Sequence, residues 1–210
     1  MAYSAGFTPH PKVSYAGAAP TGVASEAEYV ELSVTSPLDP ERLRSLLDAS
    51  LPAGLDVLEV VEADGGVLAD RLQASVWEVR LPGVEQAAAR AATEAFMACR
   101  TVEVQRLMKN GVRTFDARSA VLRLALAPEP ALPDEACAIL DMVVRHTTPA
   151  VRPDDVLTGL AHAAHFVPPV APLVTRLAQG LLDEKSGTVS DPLTPDRTLG
   201  GDAVGVPALS

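Results

Sequence analysis

The chain has 210 residues, room for one domain or two small ones; a hydrophobic share of 48% supports a packed core, and 21% charged residues exclude wholesale disorder. A net charge of −10 counts against non-specific nucleic-acid binding, which needs a positive surface. With no apolar run of about 18 residues, no basic-then-apolar leader, and Cys99 and Cys137 far apart outside any CxxC, the expectation is a cytoplasmic protein without a membrane partner or a disulfide.

Met1 to Gly22 is rich in turn residues (Gly6, Pro9, Pro11, Gly17, Pro20, Gly22) yet carries Tyr3, Phe7 and Tyr15, too much aromatic content for a frayed end. Val13–Ala16 reads as a short strand. Over residues 28–34, Glu28, Val30, Leu32 and Val34 alternate with Tyr29, Glu31 and Ser33, a period-two strand signal. Asp39 as N-cap and Pro40 at the first helical position predict a helix over 41–49, with Leu43, Leu46 and Leu47 on one face. Residues 55–61 read as another strand.

Ala74–Leu81 alternates around Trp77, Pro82 and Gly83 break it, and Val84–Cys99 is an Ala-rich helix. Thr101–Leu107 and Val112–Asp116 form strands joined at Lys109-Asn110-Gly111, because Asn-Gly suits a type I′ hairpin turn. Val121–Ala127 is a strand, Pro128, Pro130 and Pro133 mark a loop, and Ala136–Arg145 is apolar enough for strand or helix, with strand preferred. Arg152-Pro153-Asp154-Asp155 opens a helix that runs to about His162. Leu173–Leu182 is expected to be a short helix or docking segment, and residues from Ser186 onward, with Pro192, Pro195, Gly200, Gly201 and Gly205, to be disordered. These elements predict an α+β protein built of tandem ferredoxin-like antiparallel sheets with helices on one face, the first unit N-terminally incomplete. The expected division is 1–66, 70–166, and a largely disordered tail over 167–210.

The segment Tyr3-Ser-Ala-Gly-Phe7-Thr-Pro-His10-Pro-Lys12-Val-Ser-Tyr15, with Gly22-Val-Ala-Ser25-Glu26-Ala-Glu28-Tyr29 after it, resembles the signature of the radical SAM-linked protein family, a domain of unknown function. Lys109-Asn-Gly and Asp116-Ala-Arg118 resemble that family's second pattern. The resemblance implies a strand and a helix ahead of the first motif, so a start codon placed too late is the expectation here. It also implies association with a radical SAM protein. No CxxxCxxC exists to hold the iron–sulfur cluster, so the chain is not itself expected to be that enzyme.

Several clusters are candidates for chemistry. His10, held between Pro9 and Pro11 and followed by Lys12, is a candidate acid/base or phosphate contact. Tyr3, Phe7 and Tyr15 are candidate stacking groups. Glu26 and Glu28, two apart, suit a cation or a shared proton, or pairing of one Glu with Lys12 or Arg42. Between Arg100 and Arg123 six basic residues face two acidic ones, a local +4 that leaves −14 elsewhere. Within it Lys109, Arg113, Asp116 and Arg118 form a candidate RNA-binding finger, or an edge hairpin guarded by charge. His162 and His165 have helical i,i+3 spacing but no third ligand, so no metal is assigned. No cofactor is assigned either: P-loop, GxGxxG, HExxH and GxSxG patterns are absent. The expected function is an accessory, substrate-binding role beside a radical SAM partner rather than stand-alone catalysis. An RNA-binding or RNA-processing module is the alternative.

Overall fold

The computed structural model describes residues 1–199 except 6–7, 64, 110 and 128–136. Phe7, Asn110, the Pro128–Pro133 loop and residues 200–210 therefore lie outside the described residues. The protein is a mixed α/β structure with several sheets and, among the described residues, five helices. Its described residues divide into two compact units: those within 1–17, 29–70 and 192–199 form the first, and those within 18–28 and 71–191 the second. No described helix is long and apolar enough to cross a membrane.

In the first unit, β1 (Val13–Ala16) pairs antiparallel with residues 29–32, opposing Val13 to Leu32 and Tyr15 to Val30. The second unit inserts β2 (Ala24–Ser25) into the chain before that partner strand, β3 (Tyr29–Leu32). Helix α1 (Pro40–Asp48) starts as the sequence predicts: Pro40 opens it and Asp39 Oδ2 accepts the Arg42 amide at 2.9 Å. The expected strand over 55–61 does not form. Side chains of α1 take the backbone groups a ladder would need: Asp48 Oδ1 accepts from Val57 N at 2.9 Å, and Arg44 donates to Val57 O at 3.3 Å. The short helix α2 (Leu68–Arg71) leads from one unit to the other.

The second unit is built on one sheet. Strands β4 (Ala74–Pro82), β7 (Val121–Leu126) and β8 (Cys137–Arg145) join β9 (Leu173–Asp183) and β10 (Thr188–Ser190) in the order β10-β9-β4-β8-β7, all antiparallel. Strand β2 adds in parallel to β9. Helices α3 (Gln86–Ala98) and α4 (Pro153–Ala164) cover one face. Alternation sends Trp77, Val79 and Leu81 of β4, and Leu140, Met142 and Val144 of β8, to that side, where they meet Phe96, Val156 and Leu160. Gly159 is what lets the helices close: a Cβ there would stand 2.7 Å from Phe96 Cε2. Between α3 and β7, β5 (Glu103–Met108) and β6 (Gly111–Asp116) form a separate hairpin, with β5 against α4. Gly111, with φ of +105°, makes its turn possible.

Residues 167–199, expected as a largely disordered tail, instead supply β9, β10 and α5 (Thr194–Leu199). Leu173–Leu182 is neither helix nor docking segment but a strand flanked on both sides. Its signal is masked by a bulge. The β4–β9 register slips between Val76 and Trp77, so Gln179 opposes Ser75 and Arg176 opposes Trp77. Residues three apart then share a face, which reads in the sequence as a helical spacing.

Candidate functional site

The Tyr3–Tyr15 motif is a closed loop on the first unit. Tyr3 bridges Pro11. Ser4 N donates to His10 O at 2.8 Å, and His10 N donates to Ser4 Oγ at 3.1 Å. Lys12 N reaches Ala2 O at 2.8 Å, while Ala2 N and Lys12 O both bond Ser33, so the loop is stitched to the end of β3. Its backbone is held and its side chains are not: Tyr3, His10, Lys12 and Tyr15 are all exposed. Among the described residues His10 makes its hydrogen bonds through its backbone. Strand alternation then puts Val13, Tyr15, Val30 and Leu32 on one face of the β1–β3 ladder. Val13 is 40% exposed, Tyr15 71% and Val30 41%, which leaves that face an open apolar surface.

Ser25-Glu26-Ala27-Glu28 does something different. Glu26 and Glu28 do not share a ligand, and Glu28 pairs with neither Lys12 nor Arg42: its Oε1 lies 2.5 Å from Arg176 Nη2. Ser25 Oγ accepts from Arg176 Nε at 3.2 Å, and the Ala27 carbonyl accepts from Gln179 Nε2 at 2.7 Å. Arg176, only 3% exposed, also donates to Gln179 Oε1 at 3.3 Å and stands 5.6 Å from the Trp77 ring centre. The motif is therefore a clasp closing residues 18–28 onto β9. Glu26 stays exposed, and its backbone amide donates to Arg176 O at 2.9 Å.

Beside the clasp lies a pair that sequence reading missed. His146 Nδ1 faces the Leu72 carbonyl at 2.6 Å and so carries the proton there, leaving Nε2 to accept from Ser75 Oγ at 2.7 Å. Burial pushes the His146 pKa below its ordinary value; the Leu72 carbonyl opposes this and the Arg176 guanidinium adds to it. The residue keeps a solvent-exposed side, which limits how far burial carries the shift. Ser75 is 1% exposed, so a substrate has no route to its hydroxyl and the pair is structural. Residues 71 apart in the chain meet here, and no local spacing signals them.

The basic hairpin divides in two. Asp116 Oδ1 accepts from the amides of Val102 at 2.8 Å and Arg118 at 3.0 Å, closing the hairpin's base. Arg118 donates to Val121 O at 2.9 Å and to Met97 O, at the last turn of α3, where a cation complements the helix dipole. Asp116 and Arg118 are thus structural. Lys109 and Arg113 are exposed. His162 Nδ1 donates to the Glu103 carbonyl at 3.0 Å, tying α4 to β5, and His165 caps α4 in the left-handed region with φ of 52°. His165 also lines a groove of about 470 Å³ with Val84, Glu85, Ala88, Phe166 and Val167, a mostly apolar wall. No group of three metal-ligating side chains occurs among the described residues.

Residues 1–153 match the model of a bacterial family described as an uncharacterized protein conserved in bacteria, DUF2344. The chain belongs to this family. Nothing in that description links it to radical SAM chemistry. The DUF2344 match covers the N-terminal loop, the Ser25–Glu28 clasp and the hairpin, and ends before Arg176 and Gln179, which the clasp holds. No curated protein and no solved structure matches the chain.

Proposed function

We propose that this protein is an accessory subunit that docks and positions a partner carrying the chemistry, with a radical SAM protein as that partner. The observation that carries the reading is the open apolar face of Val13, Tyr15, Val30 and Leu32. Apolar side chains gathered on one exposed ladder face, with His10 and Lys12 exposed on the adjoining loop, have the composition of a protein-docking patch. The choice of a radical SAM partner rests on the motif resemblance alone. The β-α-β-β-α-β succession of the second unit, with sheet order β9-β4-β8-β7, supports reading that unit as ferredoxin-like with the β5–β6 hairpin inserted. In this role the second unit is a scaffold and the first presents the docking face.

The RNA-binding alternative calls on His10, Lys12, Lys109, Arg113 and Arg118. The Arg118 guanidinium is already spent on two carbonyls, and the overall charge of −10 works against phosphate attraction.

The test is affinity capture of the full chain from its native host, read by mass spectrometry with bound nucleic acid sequenced in parallel. The expected result is a radical SAM protein retained by the parent chain and lost from a Tyr15→Glu, Val30→Glu variant. Capture of RNA without any such protein would replace this reading with the alternative.

A further inference from the structure

The β5–β6 hairpin has an edge that the fold leaves open. Among the described residues β6 has β5 as its only ladder neighbour, while β5 packs on α4. Leu107 and Val112 stand opposite each other on one face and are 78% and 63% exposed. On the other face Arg106 opposes Arg113. Arg106 is drawn inward: it lies 2.5 Å from Asp155 Oδ2, donates to Ala150 O at 2.9 Å and covers the Phe115 ring at 5.0 Å. Arg113 and Lys109 make no ion pair or side-chain hydrogen bond among the described residues. The hairpin thus shows solvent an unpaired strand edge, an apolar pair on one side, and a cation on the other with a second at the turn.

We propose that β6 takes up, as an added strand, an extended segment of a partner protein in which apolar and acidic residues alternate. Adjacent strands keep their side chains in phase, so every second residue of the guest falls on the Leu107/Val112 face and the rest fall beside Arg113. Apolar groups suit the first set. Carboxylates suit the second, where Arg113 and Lys109 are available to pair with them. A nucleic acid fits worse: the edge offers two free cations, its one aromatic, Phe115, lies under Arg106, and phosphates gain nothing from Leu107 and Val112. This surface is separate from the β1–β3 face, so either proposal can fail alone.

The test uses the full chain and fluorescence anisotropy with five probes. These are a labelled peptide of alternating glutamate and valine, the same composition with the two residues segregated, two N-methylated forms of the alternating peptide (on every glutamate or on every valine), and oligouridylate. The alternating peptide should bind, more weakly as salt is raised. One N-methylated form should lose binding and the other keep it, because only alternate amides of an added strand face its neighbour. Replacing Lys109→Glu and Arg113→Glu together should weaken binding at least about tenfold. Leu107→Ser with Val112→Ser should weaken it independently, with unchanged far-UV circular dichroism in both variants. No binding of the alternating peptide, equal binding of the segregated one, indifference to both N-methylations, or binding of oligouridylate alone would each overturn the proposal.

Discussion

The β1–β3 ladder of the first unit and the β4–β8 pair of the second are written in the same code. Each alternates, and each gathers apolar side chains on one face: Val13, Tyr15, Val30 and Leu32 in one, Trp77, Val79, Leu81, Leu140, Met142 and Val144 in the other. In the second unit α3 and α4 cover that face and its residues are buried; in the first, Tyr15 is 71% exposed. Alternation reports that a strand has two unlike faces. It does not report what lies over them, and that difference separates a core from an open surface.

The largest effect that sharpens this contrast is expected at Phe96. Phe96→Ala should cost about 3–5 kcal/mol in urea unfolding, since it empties the seam between α3 and α4. Gly159→Ala should cost about 1–3 kcal/mol by overpacking the same seam. Combined, the two should cost less than their sum, because the Cβ at 159 would enter the space left by the ring. A strictly additive cycle would show that the helices do not meet through this contact.

Next comes the clasp. Glu28→Ala leaves the Arg176 guanidinium buried without its carboxylate and should cost about 1–3 kcal/mol. Arg176→Met in the Glu28→Ala background should recover part of the loss, because the buried charge goes with it. A Glu28→Ala variant as stable as the parent would mean that the clasp is not holding residues 18–28.

A smaller effect is expected from pH. The folded state lowers the His146 pKa, so the unfolded chain takes up the proton first. Its contribution is complete above the unfolded pKa near 6.5 and is lost as pH falls from there through the folded value. Asp155 runs the other way: burial raises its pKa against the Arg152 amide and the Arg106 guanidinium, so it adds stability as pH falls toward the ordinary carboxylate range. His146→Gln should remove only the slope below 6.5. If the urea midpoints of the parent and of His146→Gln change equally with pH across that range, the assignment is wrong.

The smallest effect on stability, and the sharpest on association, is expected at the open ladder. Tyr15→Ser should change unfolding free energy by no more than about 0.5 kcal/mol, as an exposed substitution does. A much larger loss would mean that the ladder face is covered within the protein, and the contrast between the two regions would collapse.

Much of the local structure was legible along the chain. The Asp39-Pro40 start of α1, the alternation around Trp77, the Ala-rich α3 and the Lys109–Gly111 turn each follow from residues within a few positions of one another. Two of the motifs singled out for chemistry were legible as special, while the contacts they make were not. Ser25 and Glu28 serve to seat Arg176, about 150 residues away, and Asp116 and Arg118 close a hairpin and cap a helix. The strand over 55–61 was lost to α1 side chains, and β9 was hidden by a bulge that gave it helical spacing.

Periodicity, capping and turn chemistry act over a few residues, so the sequence by itself determined where most helices and strands lie and which of their faces are apolar. Tertiary structure alone decided that Arg176 and Gln179 would be buried against a distant motif, that Ser75 would meet His146, and that one apolar sheet face would be covered while another stayed open. Those outcomes depend on which surfaces meet. A buried guanidinium needs a carboxylate at hydrogen-bond distance whatever the intervening length of chain, and no local pattern encodes where along the chain that carboxylate lies.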